Sequence, residues 1–303
     1  MGRVTQRRPV LRIDGDRAAW RQDTLAAEEP LEIRVGGVPV SVTMRTPGDD
    51  FDLVAGFLVT EGIVGDSGQI AAMRYCPGAT ADGVNTYNVI DVQLRDGAPP
   101  LDLGVTRNFY TTSSCGICGK ASIEAIRTRS RWPVADDPTT VAPAVLAGLP
   151  DRLRDAQQVF ARTGGLHAAG LFTAAGDLHC LREDVGRHNA VDKVVGWAVR
   201  ENRLPLRGYV LLVSGRASYE LAQKAVMAGV PVLAAVSAPS SLAAELAAES
   251  GMTLVGFLRG TTMNVYAGAH RVEGAGAAHS LTSSTAARPD RRRRPPVAGS
   301  DRR

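Results

Sequence analysis

The chain has 303 residues, 44% of them apolar and 22% charged, which is core material for a globular protein of about two domains. Such a composition excludes a collagen-like or wholly disordered chain, and no run of 18 apolar residues offers a transmembrane helix. The net charge of +4 suggests nucleic acid only until the charges are located. Residues 1–12 carry four arginines and residues 271–303 eight, leaving residues 13–270 mildly acidic, a poor surface for tracking phosphates. The arginines at the start precede no apolar stretch, so a secretory signal is not expected and a cytoplasmic location is. Neither a membrane nor a specific nucleic acid is an expected partner.

Four domains or segments are expected: a basic N-terminal extension over 1–12, a strand-rich N-terminal domain over 13–107, an α/β domain over 108–270 and a disordered basic tail over 271–303. In chain order, Leu31–Val35 and Val38–Met44 bracket Gly36-Gly37, a two-residue hairpin signal. Thr46-Pro47-Gly48-Asp49 stops the second strand and precedes a short helix over Phe51–Glu61. Val84–Leu94 alternates like a strand, broken by Asp96–Pro100. Phe109–Ser114 is β-branched and rich in hydroxyls, and Lys120–Thr128 has helical spacing. Arg131–Pro150 is punctuated by proline and reads as mixed helix and loop. His167–Thr173 and Leu178–Arg182 flank Ala175-Gly176-Asp177 as a second hairpin. Asn189–Val199 places Val191, Val194, Val195 and Ala198 on one helical face. Tyr209–Val213, Val230–Val236 and Met252–Leu258 are near-continuous apolar strands. They alternate with helices over Ala217–Ala228, stopped by Gly229, and from Ser240 to Gly251. That alternation predicts a parallel sheet buried on both faces. The loops Ser214-Gly215-Arg216, Ser237-Ala238-Pro239-Ser240 and Arg259-Gly260-Thr261-Thr262 should line its carboxyl edge, where anions are usually accepted.

Cys115 and Cys118 form a Cys-Gly-Ile-Cys pair behind Ser113-Ser114, which can cap a helix start. Thiolate is favoured there by free N–H groups and by Lys120. A reactive sulfur or redox thiol, half a metal site completed by His167, His179 or His188, and a purely structural pair are all open readings. No second Cys-x-x-Cys or His-x-x-x-His supplies a zinc box, and no His-x-Glu precedes the pair as a zinc deaminase requires. Cys76 and Cys180 read as inert thiols. Glu183-Asp184-Val185-Gly186-Arg187-His188-Asn189 is the densest polar run of the body. His188 can act there as a base or ligand contact, or the run can be a capping loop built on Asp184 or Asn189. Thr163-Gly164-Gly165-Leu166-His167 allows close approach of a ligand, or merely shapes a loop.

Taken in order, Asn108–Lys120 with its cysteines, Thr163–His167, Glu183–Asn189, Ser214–Arg216 and Gly256–Gly260 resemble the FdhD family of sulfur carriers required for formate dehydrogenase activity. The similarity runs from about Arg34 to Tyr266. It implies a cytidine-deaminase-like α/β domain without catalytic zinc, beside the smaller strand-rich domain. It implies a sulfurtransferase-type carrier that accepts persulfide sulfur from a cysteine desulfurase. The sulfur passes to the molybdenum cofactor, Mo-bis(molybdopterin guanine dinucleotide), before insertion into formate dehydrogenase. That cofactor is bound as a substrate, and neither a permanent cofactor nor a resident metal is expected. Carried over, the pair maps to Cys115 and Cys118 with Cys115 the usual persulfide bearer, and the cofactor stretch is Phe257, Leu258, Arg259, Gly260, Thr261 and Thr262. From its place inside the first helical turn Cys118 reads as a resolving thiol, the alternative being that either cysteine suffices. Thr261 and Thr262 are neutral where a charged residue would grip phosphate more firmly. A homodimer is expected from the size of the cofactor. A zinc-dependent deaminase-type hydrolase and a cofactor-delivery chaperone with structural cysteines are the competing functions. The basic tail is expected to be dispensable, with chains ending after Tyr266 or Ala269 still folding.

Overall fold

The computed structural model describes residues 4–76, 86–97 and 130–275. The cysteine pair Cys115 and Cys118, the run Phe109–Ser114 and the helix expected over Lys120–Thr128 lie outside the described residues, as does the chain beyond residue 275. The first element is one the sequence reading does not contain. Strands β1 (Thr5–Asp14) and β2 (Arg17–Ala26) form an antiparallel ribbon in unbroken register from Thr5 opposite Ala26 to Asp14 opposite Arg17. Gly15, at φ 59°, makes its turn.

A four-stranded sheet follows, built from β3 (Glu29–Val35), β4 (Val38–Arg45), β5 (Ile70–Tyr75) and β6 (Val89–Leu94) in the order β4-β3-β6-β5. The expected Gly36-Gly37 hairpin joins β3 to β4, with both glycines at positive φ, 58° and 80°, as a type I′ turn requires. Helix α1 (Asp50–Thr60) starts where the Thr46–Asp49 breaker ends.

The larger sheet has six strands: β7 (His167–Thr173), β8 (Leu178–Asp184), β9 (Tyr209–Val213), β10 (Val232–Ala235), β11 (Thr253–Arg259) and β12 (Thr262–Ala267). Their order is β12-β11-β10-β9-β7-β8, with β9, β10 and β11 parallel and the outer strands antiparallel. The helices of this half are α2 (Pro143–Ala156), α3 (Gln158–Thr163), α4 (Arg187–Arg200), α5 (Tyr219–Met227) and α6 (Ser241–Ser250). The α/β class, and a larger α/β body beside a smaller strand-rich sheet, are as the sequence predicts.

Local chemistry moves several boundaries. Helix α5 begins at Tyr219 because Ser218 is still extended and Ala217 is held in a bridge to Pro239. Ser240 caps α6 by accepting from the Ala243 N–H at 3.2 Å, and Gly251, at φ 72°, ends it. Helix α2 runs straight through Pro150. Burial of Leu146, Leu149 and Leu153 against the sheet outweighs the hydrogen bond the proline cannot make.

Two apolar layers sandwich the large sheet. On one face α2 packs against Phe172, Leu212, Val255 and Leu258. On the other, a single continuous core includes Leu31, Ile33 and Ile90 of the small sheet, Leu53 and Leu58 of α1, and Val191, Val194 and Val195 of α4. Helices α1 and α4 cross on two glycines: a Cβ on Gly56 would lie 1.8 Å from the Asp192 carbonyl oxygen, and one on Gly196 1.6 Å from that of Asp52. Buried ion pairs reinforce the crossing. Lys224 bonds Glu61 at 2.8 Å and pairs with Asp192 at 3.0 Å, while Arg182 and Arg200 hold Asp52 from either side at 2.8 and 2.6 Å.

The tail expectation needs correction. Arg271 is 1% exposed, and its guanidinium donates to the backbone carbonyls of Val134, Ala135, Asp137 and Gly251. Val272 bridges Val141. A chain cut after Tyr266 or Ala269 would lose this latch and leave four carbonyls without their donor, so a harmless truncation must lie beyond residue 275.

Candidate functional site at the carboxyl edge of the sheet

The three expected rim loops do lie where β9, β10 and β11 end, and they are stitched to one another. The Ser237 N–H donates to the Gly215 carbonyl at 3.2 Å, Ser240 N–H to Ala217 at 2.9 Å, and Phe257 N–H to Ser237 at 3.1 Å. Ser214 is fixed from behind: its hydroxyl oxygen accepts the Ala168 N–H at 2.9 Å, so its own O–H remains free to donate.

The stretch Phe257–Thr262 is a bulged hairpin rather than a strand-to-helix loop. Register slips between Gly256 and Arg259. Phe257 takes a left-handed φ of 51°, rare and strained for a large side chain. Gly256 cannot be replaced without disturbance, since a Cβ there would lie 2.8 Å from Pro239 Cδ and 3.2 Å from the Ser237 carbonyl. Phe257, Arg259, Gly260, Thr261 and Thr262 are exposed beyond the sheet edge, whereas the Leu258 side chain is fully buried in the core. The exposed atoms are therefore one ring, one guanidinium, two hydroxyls and glycine backbone.

Beside this hairpin the edge opens into a cavity of about 560 Å³, lined by Gln157, Phe160, Leu166, His167, Ser214 and Val236 among others. Arg154 stacks on the Phe160 ring at 4.0 Å. His167 stands at the start of β7. Burial, and then the Arg187 charge, lower its pKa, so it is neutral near pH 7. Gly164 and Gly165 form the exposed lip, with Gly164 at φ 66° closing α3.

The polar run 183–189 divides its work. Glu183 caps α3 by accepting from Val159 and Phe160 N–H at 2.9 and 2.7 Å. Asp184, fully buried, accepts from Thr46 N–H, Gly186 N–H and Asn189 Nδ2 and pairs with Lys193 at 2.8 Å. Those two acids and Asn189 are structural, but neither Asp184 nor Asn189 caps α4 in the way the capping reading expects: Gly186 is its N-cap and no side chain caps it. His188 is different. It sits at the first turn of α4, facing the start of α5, with Nε2 3.3 Å from the Ser218 hydroxyl and 3.8 Å from a Glu220 carboxylate oxygen. Burial, followed by the Arg187 and Lys224 charges, pushes its pKa down to about 4. Arg187 Nε and the Tyr219 hydroxyl beside it have no partner among the described residues. Ser218 and Glu220 carry no signal in the sequence that would pair them with a histidine 30 residues earlier.

His167, His179 and His188 do not converge: His179 instead meets the Tyr209 hydroxyl at 3.0 Å. Among the described residues no three His, Cys, Asp or Glu side chains are placed to hold a metal ion. Cys180 is buried, and its thiol pKa is pushed up to about 12 by that burial.

An α/β sheet with a small-residue rim, a cavity at its switch from parallel to antiparallel pairing and a neutral histidine at the lip has the form of a carboxyl-edge site, the place where such sheets usually accept ligands. A family model described as the FdhD/NarQ family matches residues 26–273, and the chain belongs to that family. It is 65% identical over 273 residues to the sulfur carrier protein FdhD of Streptomyces avermitilis, covering 90% of this chain and 97% of that one. It is 59% identical over 275 residues to the sulfur carrier protein FdhD of Mycobacterium tuberculosis, covering 90% and 100%. The fold is similar to the crystal structure of a putative formate dehydrogenase accessory protein from Desulfotalea psychrophila, with a TM-score of 0.69 at 24% identity over 89% of this chain and all of that one.

Proposed function

We propose that the chain is a sulfur carrier that serves formate dehydrogenase. It takes sulfur from a cysteine desulfurase and passes it to Mo-bis(molybdopterin guanine dinucleotide) held at the rim. What carries this reading is the 65% identity to a sulfur carrier protein along nearly its whole length, together with the Cys115-x-x-Cys118 pair. The Cys115 thiolate attacks the outer sulfur of the desulfurase persulfide. A new S–S bond forms on Cys115 and the desulfurase cysteine leaves as a thiolate. For delivery, the Cys118 thiolate attacks the Cys115 sulfur. The outer sulfur departs as hydrosulfide toward the cargo, and a Cys115–Cys118 disulfide remains for a cellular thiol to reduce.

The rim suits the cargo. Phosphates of a guanine dinucleotide want N–H and O–H donors with a cation, and Arg259, Thr261, Thr262, Ser214 and Arg216 stand along the edge. The cytoplasm, where desulfurase and cofactor meet, is the compartment this requires. Mass spectrometry after incubation with a desulfurase and cysteine is the test. A gain of one sulfur on the peptide holding Cys115, lost in Cys115→Ala, supports the reading. Normal loading of both Cys115→Ala and Cys118→Ala would refute it.

A further inference from the structure

The starts of α4 and α5 meet at the carboxyl edge, where His188 Nε2 lies 3.3 Å from the Ser218 hydroxyl. Gly186 and Ser218, the N-cap residues of the two helices, make no side-chain capping bond. Free N–H groups and the helix dipole make such ends attractive to anions. Arg187 and Tyr219 are the first residues of the two helices, and side chains at that position lie back over the helix start. Tyr219 is 8% exposed, and neither its hydroxyl nor Arg187 Nε has a hydrogen-bond partner among the described residues. A buried donor left unpaired is costly, and two at one place call for an acceptor. The single acid in these first turns, Glu220, is already engaged by the Ser218 side chain and its own backbone. The Arg187 charge reaches further. After burial, it is the next cause that lowers the pKa of both His167 and His188.

We propose that the starts of α4 and α5 form a site for a small sulfur anion, hydrosulfide, held by the Arg187 Nε–H and the Tyr219 O–H. This rests on the sulfur-carrier reading, which supplies the anion when Cys118 displaces the outer sulfur of the Cys115 persulfide. That sulfur leaves with the electrons of the broken S–S bond and keeps the persulfide proton. It arrives as hydrosulfide, and no covalent bond is made or broken at the site. Size favours this occupant. A compact monoanion accepts both hydrogen bonds at one point, whereas phosphate or sulfate would set further oxygens, unpaired, against the apolar core that Tyr219 belongs to. Place favours it too. Val185, just before Arg187, and Ser214, just before Ser218, line the cavity of about 560 Å³ beside the rim. A sulfur held here waits next to the cargo instead of escaping into water.

The experiment is anaerobic bromide NMR on the full, reduced chain. Bromide bound at a protein site broadens its signal, and hydrosulfide is then added to displace it. Tyr219→Phe removes one oxygen and keeps the ring. Tyr209→Phe is the control, since that hydroxyl meets His179 at the opposite end of β9. The expected result is broadening in the wild type that hydrosulfide reverses, with both anions bound about ten-fold more weakly by Tyr219→Phe and as tightly as wild type by Tyr209→Phe. The thermal midpoint of Tyr219→Phe should be unchanged or higher, because its hydroxyl has no partner in the described protein. With sulfur loading on Cys115 intact, broadening that hydrosulfide does not reverse, or that is equal in wild type and Tyr219→Phe, would overturn the site. No sulfur on Cys115 after incubation with a desulfurase and cysteine would instead overturn the sulfur-carrier reading, and with it the occupant named here.

Discussion

Replacing Gly196 with Ala tests whether the two sheets are joined as described. The new methyl would lie 1.6 Å from the Asp52 carbonyl oxygen and 2.5 Å from its carbon. Both are backbone atoms, so no rotamer change relieves the clash, and α1 and α4 must move apart by more than 1 Å. That movement loosens a layer holding Leu53, Val54, Val191 and Val195, all at 1% exposure or less. It also stretches the bonds that Arg182 and Arg200 make to Asp52. Overpacking against soft side chains costs about 1–3 kcal/mol. Against backbone, with an ion pair displaced, the cost should reach about 3–5 kcal/mol, a large part of the stability of an ordinary domain. Urea unfolding followed by circular dichroism would show a midpoint lowered by more than a molar unit, for a slope of about 2 kcal/mol per molar. Gly148→Ala is the control, since nothing lies within 4 Å of its added Cβ in α2; it should stabilise by about 0.5–1 kcal/mol. A Gly196→Ala midpoint equal to wild type would refute the close crossing.

Arg271→Met should cost about 3–5 kcal/mol by leaving buried carbonyls without donors, and an unchanged thermal midpoint would remove the latch from consideration. Phe257→Gly should stabilise by about 1 kcal/mol, because glycine takes a φ of 51° without strain; destabilisation in urea would show that the ring, not the backbone, decides there. His188 is neutral in the fold, with its pKa lowered from 6.5 to about 4. The unfolded chain therefore binds the extra proton between those values, and stability falls as pH drops from about 6.5 to 4. With about a third of the side chain open to water the effect is discounted to about 1 kcal/mol. His188→Gln should flatten that part of the urea-midpoint profile, and identical profiles would contradict the burial described.

Which parts of this structure could be read from sequence follows from how local their causes are. Gly36-Gly37, Ser240, Gly251 and the apolar runs of β9, β10 and β11 act within a few residues, and they mark the hairpin, the cap and the parallel strands correctly. Pro150 misleads because the leucines that override it need the sheet to pack on. The ribbon is hidden by Arg7-Arg8 and Pro9, which read as a charged extension, although Asp14-Gly15 between two alternating stretches is a hairpin signal. The rim loops are legible, since small hydroxyl residues follow each strand. The cavity is not, because its walls come from α2, α3, the start of β7 and the ends of β9 and β10, from Pro150 to Val236. Ser218 and Glu220 become partners of His188 only when two helix starts meet, and nothing in composition separates Arg271 from the arginines after it.

The latch has a kinetic consequence. Three of the carbonyls that Arg271 binds lie 134 to 137 residues away along the chain, so the contact closes one of the longest loops in the fold. Loop closure of that length is entropically expensive while the intervening sheet is unformed. The guanidinium therefore seats after the folding barrier, once Gly251 and Val134 are already in place. Contacts made that late leave the rate of folding nearly untouched and act on the rate of escape. Weakening Arg271 should shorten the lifetime of the folded chain, as read in unfolding jumps, while refolding proceeds at its usual speed.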